Sequence, residues 1–129
     1  MINIDYVLDL LDWNQSYDNQ KEGLRLAREI KSVHVFLQPR DSVHNKNVWE
    51  NCAIALSERK DEELRPYISN LMEWLVDMNW PGAFVIFNRL IQYEDKPWFD
   101  YVLSSSMQKA QVLGEDIWLE NLENLRHKY

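Results

Sequence analysis

The chain has 129 residues, enough for one domain to bury an ordinary core without disulfides or a structural metal. Gly and Pro number only 3 and 4 while 46% of residues are hydrophobic, which excludes a low-complexity or largely disordered chain. Its net charge of −7 is uneven, with 9 acidic and 8 basic side chains in residues 1–60 but 12 and 4 in residues 61–123, so a phosphate-backbone partner is excluded as a first choice.

The first predicted element is an apolar helix over Tyr6 to Trp13. Asp18 or Asn19 is expected to cap a second, Gly23 to Ile30. Val33 to Leu37 alternates like a strand, but a lone strand would have no partner. Residues 31–46 are therefore read as a short degenerate helix with a loop from Pro39 to Asn45. Asn47 to Leu56 follows as a helix carrying Val48, Trp49, Cys52, Ala53 and Leu56. Glu62 to Val76 is the clearest helix, with Leu64, Ile68, Leu71, Trp74 and Leu75 on one side and Asp61 as its expected N-cap. Pro66 should bend it, because a proline beyond the first turn removes a backbone bond.

Asp77 to Asn79 then reads as a turn, with an apolar helix starting at once on Trp80-Pro81 and placing Ala83, Phe84, Phe87, Leu90 and Ile91 on its buried face. Trp98 to Val112 is the next helix, with Pro97 at its start and Gly114 as its stop. Trp118, Leu119, Leu122 and Leu125 define the last. Aligning Gln20, Trp49, Trp80 and Trp118 gives spacings of 29, 31 and 38 residues, in or near the range of stacked helical hairpins. The fold class expected is all-α, a single domain over residues 1–129.

The stretch Leu64-Arg65-Pro66, Leu71, Trp74-Leu75 and Asp77-Met78-Asn79-Trp80-Pro81 resembles a bacterial HEAT-like family of unknown function. That family is marked by Trp-Leu-x-Asp-Met/Leu-Asn-Trp-Pro between two helices. Asn45 to Ala53 resembles an upstream element of the same proteins, and the similarity is strongest from residue 45 to 92. The resemblance implies a short right-handed HEAT-like α-solenoid of about four hairpins. It transfers no catalytic residue. Relatives are suspected to be immunity proteins that neutralise toxins by binding them.

Candidate chemistry is sparse. His34, His44 and His127 lack the spacing of a helical metal site, so no metal or cofactor is expected. Cys52 sits beside Ala53 and Leu56 and reads as a small buried hydrophobe. As the sole cysteine it permits no internal disulfide, and the amino terminus lacks the pattern of a secretory leader. No apolar run reaches the roughly 20 residues of a membrane span. A soluble, cytoplasmic protein is therefore expected. Asp61-Glu62-Glu63 and Glu115-Asp116 fall at helix starts, where capping explains them. No Gly-rich phosphate loop or nucleophile elbow is present.

An enzyme is not expected. The leading expectation is a non-catalytic protein-binding module, and in its narrower form an immunity protein that masks a basic toxin domain. The acidic second half would steer such a partner. The alternative is a general helical-repeat scaffold or adaptor unrelated to toxins. Glu50, Asn51, Asp77, Glu94, Asp95 and Trp98 are the expected surface contributors, with Trp98 the most exposed tryptophan. Trp49, Trp74, Trp80 and Trp118 are assigned to packing.

Overall fold

A computed structural model describes residues 2–39 and 44–129, and every regular element among them is helical. The expected Pro39 to Asn45 loop falls largely on residues 40–43, which lie outside the described residues. Helix α1 spans Ile4–Leu10 and α2 spans Tyr17–Ala27. A 3₁₀ turn at Val33–Phe36 replaces the strand-like stretch, and another at Lys46–Val48 leads into α3, Trp49–Ser57. Then follow α4 (Asp61–Leu64), a 3₁₀ turn (Arg65–Tyr67), α5 (Ile68–Glu73) and a 3₁₀ turn (Trp74–Val76). The last three helices are α6 (Ala83–Ile91), α7 (Lys96–Leu113) and α8 (Asp116–Lys128).

Several boundaries differ from expectation for local reasons. Ser16, not Asp18 or Asn19, caps α2, its hydroxyl accepting from the Asn19 N–H at 3.1 Å. The helix clearest in the sequence is broken at Pro66, whose ring cannot share the turn with the carbonyl four residues earlier. Asp61 is the first helical residue rather than the cap, and its carboxylate serves the next hairpin by accepting from Arg89 Nη2 and the Glu94 N–H. Trp80-Pro81 belongs to the turn, and α6 begins only at Ala83. The delay comes from Gly82, held at φ 87°, where a Cβ would meet Ala53 Cβ at 2.6 Å. Only glycine lets this backbone lie against α3.

Helix α1 packs on α2, and α2, α3, α6 and α8 lie side by side in that order; α5 packs on α6 and α7, and α7 on α8. Between them the core holds Phe36, Leu56, Leu71, Trp74, Phe99 and Trp118, all fully buried.

Polar bonds tie neighbouring hairpins together at similar sequence offsets, 29 to 32 residues through α6. Asn51 reaches back 31 residues to Gln20, and Gly82 donates to Glu50 across 32. Arg59 Nη2 donates to the carbonyls of Ala27 and Ile30, and Arg89 Nη2 donates to the Arg59 carbonyl 30 residues before it. Arg59 and Arg89 therefore occupy equivalent positions, each serving the backbone of the preceding unit. The last unit is longer because α7 has 18 residues. There α8 reaches back 46 positions, through Trp118 Nε1 to the Met72 carbonyl and Asn121 Nδ2 to the Leu75 carbonyl.

Candidate binding surfaces

Three of the six expected surface residues converge at the start of α7. Pro97 presets the first turn, and Asp95 caps the helix by accepting from the Trp98 N–H at 3.1 Å. Its other carboxylate oxygen pairs with Arg65 Nη1 at 2.5 Å. The Trp98 N–H and then the Arg65 guanidinium hold the Asp95 carboxyl below the usual carboxylate range. Arg65 also lies over the Trp98 ring at 4.5 Å from its centroid, while Trp98 Nε1 donates to the Arg65 carbonyl at 3.0 Å. Trp98 is thereby fixed in place and half-buried, stacked against Tyr101 at 5.6 Å and 27°. Tyr101 is 65% exposed, and the exposed carboxylates of Glu94 and Asp100 neighbour the pair in sequence. This is a fixed tryptophan stacked on an exposed tyrosine, with one cation over its ring.

Trp98 is not the most exposed tryptophan. That is Trp13, at 46%. Tyr101 has no sequence signal of its own, being one exposed tyrosine on an amphipathic helix. Helical spacing from Trp98 could have found it, since three residues on is the same face.

The other expected residues do not join this patch. The Glu50 carboxylate accepts the Gly82 N–H at 2.8 Å, and Asp77 accepts from the Asn79 N–H at 2.8 Å within the turn. Both are half-buried and occupied in shaping the turn before α6. Asn51 is 6% exposed, donating to the Leu11 carbonyl at 2.7 Å and to Gln20 Oε1 at 2.9 Å. Its place is interior, and the expectation of a surface role is corrected accordingly. An amide beside Cys52 and Ala53 can be buried because α2 and the end of α1 supply acceptors, which no local pattern reveals.

Trp74 and Trp118 are fully buried, Trp49 nearly so, and Trp80 is half-buried. Trp49 meets Trp74 at 6.3 Å and Trp80 at 5.5 Å, both edge to face, and Trp74 Nε1 donates to the Pro81 carbonyl. Trp49, Trp74 and Trp80 pack around the turn before α6, and Trp118 packs α8 into the core, so all four serve packing as expected.

A second surface lies between α6 and α8, a groove of about 480 Å³. Met78, Phe84 and Phe87 form its apolar floor, Asn88, Asn121 and Asn124 its amide lining, and His127 and Lys128 its basic end. Phe84 was expected on the buried face of its helix; it is 66% exposed. Because Ala83–Ile91 is apolar nearly all round, periodicity alone could not orient it.

Burial pushes the Cys52 thiol up to about 12, so it is protonated and shielded at neutral pH. Among the described residues, no three His, Cys, Asp or Glu side chains are placed to hold a metal ion, and no helix is long and apolar enough to cross a membrane.

Residues 45–97 match a domain of unknown function (DUF5071). The match takes in α3 through α6 and the Asp95 cap, and stops one residue short of Trp98. It covers the stretch where the HEAT-like resemblance is strongest, and it carries no toxin or repeat name. No curated protein and no solved structure matches the chain.

Proposed function

We propose that this chain is a non-catalytic protein-binding module built as a short right-handed HEAT-like solenoid of about four hairpins. Its partner is a cationic protein, and in the narrower form of the reading it is an immunity protein that masks a basic toxin domain in the cytoplasm. The observation that carries the proposal is Trp98, fixed by Arg65 and Asp95 and stacked on exposed Tyr101, with Glu94 and Asp100 exposed beside it in sequence. Preorganised aromatics lose little entropy on binding, and acids around them raise the encounter rate with a basic partner. Support for the solenoid comes from the bonds repeated at offsets of about 30 residues and the lateral order α2, α3, α6, α8.

The test is a tagged pull-down from the source cell at low and high salt, read by mass spectrometry beside a W98A/Y101A variant. One basic protein retained by the wild type at high salt and lost by the variant supports the reading. Suppression of that protein's toxicity by the chain supports the immunity form. Capture of a neutral or acidic protein with no salt dependence favours the general scaffold instead.

A further inference from the structure

We propose that the groove between α6 and α8 docks an extended peptide segment bearing a bulky apolar side chain next to a carboxylate. This site shares no residue with the Trp98 patch and takes a ligand of the opposite charge.

Three observations define that occupant. Phe84 leaves two thirds of its surface in water above half-buried Met78 and Phe87, a floor suited to one or two large apolar side chains. Carboxamides line the groove, and each offers the donor and acceptor that match a peptide N–H and C=O. Asn121 is anchored by its bond to the Leu75 carbonyl, so its amide plane is set before a ligand arrives. Finally, the groove is lined by Lys128 and His127 and by no carboxylate, on a chain of net charge −7. An acidic side chain finds a counter-charge here that a basic one does not.

A phage library of random dodecapeptides panned on the full chain tests this. The enriched sequences should share an acid adjacent to Leu, Phe or Trp. A synthetic peptide of that consensus should shift the side-chain amide NMR signals of Asn88, Asn121 and Asn124. Phe84 and Lys128 are exposed, so F84A and K128E should melt like the wild type while each weakening the peptide about tenfold or more. W98A/Y101A should bind it unchanged, which separates this site from the toxin-binding reading. No enrichment, a basic consensus, or affinity indifferent to F84A and K128E would overturn the proposal. So would a wild-type dimer in sedimentation that F84A abolishes, since the occupant would then be a second copy.

Discussion

Replacing Arg59 with Met should cost the fold about 2–3 kcal/mol. Only 8% of the Arg59 side chain is exposed, and Nη2 donates to the carbonyls of Ala27 at 2.7 Å and Ile30 at 2.5 Å. Methionine keeps much of the stem's packing and removes a buried charge, so part of the loss is offset. What is not returned is the partner of the two carbonyls. Ala27 O keeps the bond it accepts from the Ile30 N–H, and most of the cost falls on Ile30. An unsatisfied buried acceptor costs about 1–3 kcal/mol, and the half-exposed pairing with Glu63 adds about 0.5 kcal/mol. With an unfolding entropy of about 2.1 cal/mol/K per residue, the melting temperature should fall by about 7–11 °C. Scanning calorimetry on wild type, R59M and R28A gives the comparison. Arg28 pairs with Glu58 at the surface, its side chain 55% exposed, and R28A should move the transition by no more than about 2 °C. An R59M protein melting within 2 °C of wild type, or R28A falling as far as R59M, would refute the assignment of Arg59 as an inter-hairpin tie.

Gly82→Ala should cost about 2–4 kcal/mol in urea unfolding, because it strains a left-handed residue and crowds Ala53. Gly114→Ala, with φ 69° and nothing near its Cβ, should cost only about 1–2 kcal/mol; equal losses would remove the steric argument. Cys52 should resist a thiol reagent at pH 8 in the folded chain and react at once in urea. Because folding raises its pKa from 9.0 to about 12, the unfolded state ionises first and stability should decline as pH climbs through that window. A C52A variant with the same alkaline decline would assign it elsewhere. Asp95 is the opposite case, its folded pKa lowered, so its contribution holds above the unfolded value and disappears as acid titrates the capped carboxylate. In an NMR titration its midpoint should lie below the usual 3.8 and rise in R65M; an unmoved midpoint would leave the Trp98 N–H as the whole cause.

What could be read in advance followed from local chemistry. Pro97 and Gly114 bracket α7 as their backbone preferences require, and Pro66 interrupts its helix where its missing N–H demands. Spacings of 29 and 31 residues are matched closely by the bonds joining adjacent hairpins, whose offsets run from 29 to 32 residues. What failed depended on partners distant in sequence. Gly82 delays α6 because α3 lies beneath it, and Asn51 is interior because α1 and α2 present a carbonyl and an amide. Of the candidate patch, Glu94, Asp95 and Trp98 were legible as an acidic turn ahead of a tryptophan. Arg65 was not, since its position over Trp98 is set by the break at Pro66 rather than by spacing.

Arg59 is bound on two sides, its guanidinium holding the backbone before it and its carbonyl held by Arg89 after it. A hairpin that opens therefore unlatches both neighbours. Repeat arrays whose units touch only through apolar faces can fray from an end, one unit at a time. Here the relay joins three successive units, so native-state hydrogen exchange should find the amides of α2, α3 and α6 opening with one common free energy. These three helices would behave as a single cooperative block, and a surface presented by any one of them would be as rigid as the three together.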